Sequence, residues 1–379
     1  MFDPATLNRA AHVLRAVNPK LPADAALRQE LAANRALSAT ARSAVSRAVF
    51  SYYRWINWLR PGESWQLQID DALERQAKFE RDPTSTKVEA LAARAVPTWL
   101  AAEVVLPPET LRHFQLEPAL WIRPRPGTRS ALSRELGHTS LPAKTSLDGF
   151  PRKTTEALRF TGTRDLFTTQ AFQRGAFEIQ DLASQLVGHA CAPKPGETWW
   201  DACAGEGGKS LHLADQMENR GTLWATDRSL RRLELLKRRF ARAKLFNVRV
   251  DSWDGTETLP TKTPFDGILI DAPCSGVGTW QRNPHARWTT GPTDVAELAA
   301  VQANLLNNAA RGLKSGGRLV YAVCTLTRSE TTAVTDAFSL AHPEFVPMPV
   351  NAHSEQTEAM LWPDEIDANG MFIAAWRKT

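Results

Sequence analysis

Cysteine is scarce in this chain of 379 residues: four thiols, Cys191, Cys203, Cys274 and Cys324, with no Cys-x-x-Cys pair and no clustering with the eight histidines. That spacing excludes a disulfide framework and suggests no metal site. Long apolar runs are missing as well. Nowhere do about 18 consecutive apolar residues occur, and the opening Met1-Phe2-Asp3-Pro4 carries no basic segment followed by an apolar stretch. Neither a membrane span nor a secretory leader is expected, nor is there an internal repeat or a low-complexity tract. The expectation is a cytoplasmic monomer with reduced thiols and no membrane association.

The length exceeds one ordinary domain, and a catalytic domain of about 200 residues buries a sizeable core. Residues 1–85 are rich in Ala, Leu and Arg with apolar positions at helical spacing, and predict a helical domain. Its Trp55, Trp58 and Trp65 are expected in a core or docking face rather than as base-stacking platforms. Residues 86–165 carry prolines at 97, 107, 108, 118, 124, 126 and 142, a strand over 119–123 and a helix over 129–136, which suits a small α/β connector module.

From 166 to 379 strands and helices alternate. Strands are expected at 198–202, 222–226, 248–250, 265–270, 318–323 and 371–376, with helices near 209–217, 230–244, 294–313 and 329–340. Such alternation predicts an α/β fold with a doubly wound, mostly parallel, Rossmann-like sheet, whose ligands bind at the carboxyl ends of the strands.

Charge is unevenly placed. Net charge is only +5, yet residues 1–60 hold nine Lys or Arg against Asp3, Asp24 and Glu30, and residues 228–249 hold nine against Glu234 alone. The first excess suits a phosphate backbone or a solvated helix face equally. The second, opposite the helically spaced Leu230, Leu233, Leu236 and Phe240, reads as a solvated outer helix before it reads as an RNA contact.

The first alternating strand runs into Asp201-Ala202-Cys203-Ala204-Gly205-Glu206-Gly207-Gly208-Lys209-Ser210, a turn of small residues that opens a helix. A ligand can lie against its backbone amides. It is not a P-loop, because Cys203 stands where the first glycine belongs, and not a dinucleotide fingerprint, because Ser210 replaces its last small residue. The next strand ends in Asp227, placed to accept ribose hydroxyls, or alternatively to cap the following helix. One nucleoside without a phosphate clamp fits S-adenosylmethionine.

Two thiols close later strands 50 residues apart: Cys274 in Asp271-Ala272-Pro273-Cys274-Ser275-Gly276, and Cys324 in Tyr321-Ala322-Val323-Cys324-Thr325. Adjacent strands would bring both to one cleft. A thiolate adds reversibly to an electron-poor pyrimidine, which activates a cytosine carbon. Arg282, His285, Arg287 and Trp288 follow the first motif; they read either as phosphate contacts with a stacking surface or as loop residues that fix a lid.

These motifs, with Gly175-Ala176-Phe177-Glu178-Ile179-Gln180-Asp181 upstream, resemble the Sun/NOL/NOP family of S-adenosylmethionine-dependent RNA cytosine-5 methyltransferases, nearest its bacterial 16S ribosomal-RNA branch. The resemblance implies that Cys324 attacks carbon 6 of cytosine, that Cys274 helps release the adduct, and that Asp271 hydrogen-bonds the base and the cofactor side of the cleft. It further implies a pocket for S-adenosylmethionine formed by Cys203, Ala204, Gly205, Glu206, Gly207, Gly208, Lys209, Asp227, Asp254 and Asp271. Ribosomal RNA is then the expected partner, and residues 1–85 the RNA-binding domain. Glu206 replaces the family's usual proline and Thr325 its usual serine. Two other readings stand beside this one: a DNA cytosine methyltransferase with Cys274 as nucleophile, and an RNA-binding ribosome-assembly factor that keeps the fold without turnover. Cys191 and Cys203 are assigned to packing.

Overall fold

The computed structural model describes residues 3–143, 146–147, 150–151, 156–351 and 353–379. They form two compact units, one comprising Met1–Pro118, Thr163–Asp165 and Thr279–Gly291, the other Ala119–Gly162, Leu166–Gly278 and Pro292–Thr379.

The first unit is helical: α1 (Pro4–Ala16), α2 (Ala23–Ala33), α3 (Ala39–Trp55), α4 (Trp65–Arg81), α5 (Val88–Arg94) and α6 (Pro108–His113). Their starts follow from local chemistry. Asp3 accepts from the Ala5 and Thr6 amides ahead of α1, and Ser38 and Ser64 cap α3 and α4 through their hydroxyls. Leu7, Ala10, Ala11 and Leu14 then fall on one buried stripe and meet Val45, Val49, Ile69 and Leu73. Trp55 is buried and donates to Gln76, while Trp58 and Trp65 pack against the same core, so all three tryptophans pack. Leu91, Ala95 and Leu111 join that core, which is why the unit runs on to Pro118 rather than ending near 85.

Six of the nine early cations are engaged within this unit. Arg9, Arg28, Arg47 and Arg60 pair with acids, Arg42 donates to the Leu31 carbonyl, and buried Arg54 donates to the Gln281 carbonyl.

The second unit is α/β. Strands β1 (Leu120–Pro124), β2 (Thr139–Ser140), β3 (Leu158–Phe160) and β4 (Phe177–Ile179) make a small antiparallel sheet in the order β2-β3-β1-β4, beside α7 (Arg129–Leu136). Helix α8 (Leu182–Cys191) leads into the main sheet. Its strands are β5 (Thr198–Asp201), β6 (Thr222–Asp227), β7 (Val248–Ser252), β8 (Phe265–Asp271), β9 (Leu313–Val323), β10 (Phe345–Pro347), β11 (Glu358–Leu361) and β12 (Met371–Lys378). The order is β10-β12-β9-β8-β5-β6-β7, with β11 also paired to β12.

From β9 to β7 all pairs are parallel; β12 is antiparallel to its neighbours. Chain order reverses between β5 and β8, the switch point where such sheets hold ligands. Helices α9 (Gly208–Gln216), α10 (Leu230–Ala243), α11 (Pro292–Ala310) and α12 (Thr332–Ala341) complete the layers. Central strands are buried on both faces: Trp199, Leu269, Val320 and Ala322 join one core, and Trp200, Ile268, Ile270, Leu319 and Tyr321 the other. No helix among the described residues is long and apolar enough to cross a membrane.

Candidate active site

Strands β5, β6, β8 and β9 deliver the site from their carboxyl ends. After β5 the chain turns through Gly205 and Gly207, at φ of +55° and +84°. A Cβ on Gly207 would lie 2.7 Å from Leu236 of α10, so this turn requires glycine. The Gly205 amide donates to Asp227 Oδ2 at 3.0 Å and the Ser229 amide to Oδ1 at 2.8 Å, so Asp227 is buried at the rim and fixed on both oxygens. Asp227 thus fixes the turn ahead of α10 as well as facing the loop, while the N-cap, Ser229, makes no side-chain capping bond. No neighbour lies within 4 Å of a Cβ built on Gly205 or Gly208, which leaves open space along the loop backbone.

Asp201 is fully buried below the loop. Ser210 Oγ donates to its Oδ2 at 2.6 Å, whereas Oδ1 has no hydrogen-bond partner among the described residues. Burial pushes this carboxyl up to about 7, against the Ser210 hydrogen bond. The sequence reading passed over Asp201, although an acid that ends the first parallel strand was a visible signal. Glu206 is exposed, and its carbonyl accepts from Arg239. Asp251 and Asp254 both lie exposed at the end of β7, each accepting from a nearby backbone amide.

The two thiols meet. Cys274 Sγ and Cys324 Sγ stand 3.3 Å apart, just beyond the last register pair of parallel β8 and β9, Asp271 with Ala322. Gly278 donates its amide to the Cys324 carbonyl and accepts from Gly370; a Cβ on Gly278 would lie 2.1 Å from the Gly370 carbonyl, so only glycine permits this closure.

The shared sulfur contact splits the thiols. Cys274 hydrogen-bonds Cys324, which lowers Cys324 below the usual thiol range despite burial and the Asp271 charge; Lys209 assists. Cys274 is raised well above that range by the same contact and by burial. Burial disfavours the Lys209 ammonium, but Asp271, 2.7 Å from its Nζ, outweighs this and holds it cationic. Of the remaining thiols, Cys191 is fully buried and Cys203 packs half-buried; burial raises both.

Behind the thiols sits a network that the sequence reading did not foresee. Fully buried Glu330 accepts from the Ser275 amide at 2.8 Å, from the Ser275 and Thr325 hydroxyls, from Thr327 Oγ1 at 2.7 Å and from Gln302 Nε2 at 3.0 Å. Gln302 also donates to the Pro273 carbonyl, and Tyr321 donates to Gln302 and to the Glu330 carbonyl. One carboxylate therefore ties the residue after each cysteine. Thr325, the departure from serine, keeps the hydroxyl this requires.

Of the two readings open for Arg282, His285, Arg287 and Trp288, the structure favours residues that fix a segment over nucleic-acid contacts for the last three, because the 279–291 segment belongs to the helical unit. Arg287 is fully buried and donates to the carbonyls of Ala95, Phe114 and Trp280 and to Gln115 Oε1. Trp288 donates to the Tyr53 carbonyl, and His285 packs edge-on against Tyr53. Arg282 remains exposed, but the other three fix the segment to its unit. Removing Arg287 strands four acceptors, at about 1–3 kcal/mol for each that water cannot reach. We expect Arg287→Ala to lower stability by at least about 3 kcal/mol, read as a shifted urea midpoint in the tryptophan emission of the helical unit.

Comparison with known proteins agrees with this geometry. The chain is 37% identical over 221 residues to a probable ribosomal RNA small subunit methyltransferase B of Bacillus subtilis, covering 55% of this chain and 49% of that protein. It is 34% identical over 297 residues to its namesake in Synechocystis, covering 74% and 64%. The chain thus spans 49% and 64% of the length of these two curated relatives. A solved structure of NSun6 from Pyrococcus horikoshii with SFG superposes with a TM-score of 0.50 at 26% identity, covering 59% of this chain and 58% of that one. Both thiols, the Lys209–Asp271 pair and Glu330 lie inside the stretch that the 16S rRNA methyltransferase RsmB/F model matches, and through those residues, 189–377, the chain belongs to that family.

Proposed function

We propose that this chain methylates carbon 5 of a cytosine in small-subunit ribosomal RNA, with S-adenosylmethionine as donor. The observation that carries the reading is the 3.3 Å approach of two strand-end thiols, with the Lys209–Asp271 ion pair in the same site. The names of both curated relatives and the SFG in the Pyrococcus structure, an analogue of the donor, support it.

The residues present fit that donor. The backbone of Cys203, Ala204, Gly205, Glu206, Gly207 and Gly208 leaves room for a nucleoside, Asp227 has lone pairs left for ribose hydroxyls, and Asp254 follows the next strand. Asp201 Oδ1, buried and unpartnered, suits an ammonium group. When bound, the donor supplies an electrophilic methyl group.

The chain's own groups do the rest. Cys324 thiolate adds to carbon 6 of the cytosine, which makes carbon 5 nucleophilic. As the thiolate adds, ring nitrogen 3 takes a proton from solvent, and Asp271, held by Lys209, favours that protonation by accepting a hydrogen bond from the nitrogen. Adduct formation removes the Cys324 charge and hydrogen bond that hold Cys274 protonated, so Cys274 releases its proton to solvent. As thiolate it takes the carbon 5 proton while the bond from carbon 6 to Cys324 breaks and its electron pair returns to that sulfur. The target base must be unstacked, at a few kcal/mol, which favours loop or single-stranded RNA.

Labelled S-adenosylmethionine incubated with small-subunit rRNA, followed by nucleoside analysis, tests the reading: label in 5-methylcytidine supports it, and label elsewhere or nowhere sinks it. A pH series tests the cradle. Because Asp201 lies near 7, its carboxylate fraction grows from pH 6 to 8, so donor affinity should rise over that window by about three- to tenfold. Asp201→Asn should flatten the profile in calorimetry.

A further inference from the structure

The outer face of α10, with the edge strand β7 beside it, carries a concentration of cations that the catalytic site does not use. Residues 228–249 hold nine of the chain's 46 Lys and Arg but only one of its 41 Asp and Glu. Without them the chain carries 37 cations against 40 acids, so its whole positive excess sits here. Two of the nine, Arg239 and Arg242, turn inward to Glu178, and Lys237 pairs with Glu234. The other six, Arg228, Arg231, Arg232, Arg238, Lys244 and Arg249, are exposed and make no ion pair among the described residues.

Arg231 and Arg238 lie two turns apart on the side opposite the buried Leu233, Leu236 and Phe240, so they share one solvent face. Solubility alone calls for mixed signs; a single-sign face is an attractor for polyanions. Five of the six are arginine, whose planar fork matches phosphate oxygens. Apolar groups stand among them: Leu230 is 68% and Phe246 75% exposed, and Arg249 lies over the ring of Trp224. Cations interleaved with exposed aromatic surface suit a sugar–phosphate chain with bases to contact, more than an acidic protein surface. The face is also near the donor loop, since α10 starts just after Asp227 and Arg239 donates to the Glu206 carbonyl.

We propose that this face binds the phosphate backbone of the RNA flanking the target cytosine, as a second contact surface outside the catalytic cleft; the proposal rests on the RNA substrate argued above. Of the nine early cations of the helical unit, Arg15, Lys20 and Arg35 lack a described partner.

The test compares the full chain with Arg231→Glu/Arg232→Glu/Arg238→Glu and with a control of equal charge change at exposed sites elsewhere, Lys194→Glu/Arg220→Glu/Lys262→Glu. Binding of a fluorescein-labelled hairpin RNA is followed by anisotropy from about 50 to 300 mM KCl. At the low end the first variant should bind at least about tenfold more weakly, and its log–log salt slope should be shallower by about 2.7, three phosphates at 0.9 each. The control should match the unmodified chain, and both variants should bind S-adenosylmethionine normally in calorimetry. An unchanged Kd and slope, an equal loss in the control, or displacement of the RNA by polyglutamate at similar charge concentration overturns the proposal. If the unmodified chain binds the hairpin through this face yet forms no adduct with RNA containing 5-azacytidine, the methyltransferase reading fails and the surface assignment stands.

Discussion

Cys324→Ala should abolish methyl transfer, by at least about 10⁴-fold, because covalent activation of the ring has no substitute in the cleft. It should also abolish covalent capture of RNA containing 5-azacytidine. Cys274→Ala should behave differently: the adduct forms, the methyl group moves once, and release stalls, so protein crosslinked to ordinary cytidine RNA accumulates on a denaturing gel. The asymmetry follows from the sulfur–sulfur hydrogen bond, which lowers Cys324 and raises Cys274. Removing Cys274 also takes that donor from Cys324. Its thiol should then titrate higher, and adduct formation in Cys274→Ala should require more alkaline solution than in the unmodified chain. Crosslinks that persist without Cys324 and vanish without Cys274 would reverse the two roles and favour the DNA-type arrangement.

Glu330→Ala should be nearly as damaging although the side chain lies behind the thiols. Five donors converge on this buried carboxylate, from Ser275, Thr325, Thr327 and Gln302. Deleting it leaves a backbone amide and several hydroxyls unpaired in the core, and hydrogen bonds to a charged acceptor are worth about 1.5–3 kcal/mol each. Loss of about 3–5 kcal/mol of stability is expected, as when one partner of a buried charged network is removed. The Cys274 and Cys324 loops would also lose their common anchor, and a displacement of about 1 Å at a reacting atom costs about 10²-fold in rate. Glu330→Gln keeps the volume but turns a donor toward donors, and should retain the fold better than the rate. Turnover of both variants, at a temperature where circular dichroism shows them folded, decides the matter: rates within twofold of the unmodified chain would reduce Glu330 to a packing role.

Much of the second unit was legible in local pattern. The helix expected over 129–136 appears as Arg129–Leu136, and the strand expected over 265–270 appears as Phe265–Asp271. Strands buried on both faces read as near-continuous apolar runs, and the turn residues that end them stand out against those runs. Short elements were not legible. Phe345–Pro347 and Glu358–Leu361 pair with a terminal strand that runs against the rest, and three or four residues carry too little periodicity to announce themselves. Glu330 looked like any acid in a polar stretch, since its burial depends on donors from residues 275 and 302.

The chain by itself determined which chemistry is available. Two thiols at strand ends, a small-residue loop and an acid after the next strand are local facts, because strand register and chain reversal carry each residue to the same edge of a parallel sheet. Only the tertiary structure decided how those groups behave. The 3.3 Å sulfur contact couples the two thiols, the Lys209 ammonium favours the thiolate of Cys324, and the buried Glu330 sets where both loops stand. It also decided that Arg287 is a core residue of the helical unit, through acceptors that lie more than 170 residues away in sequence. A cation's local sequence looks the same whether it meets phosphate or buried carbonyls, since the distinction is one of desolvation, and desolvation is a property of the fold.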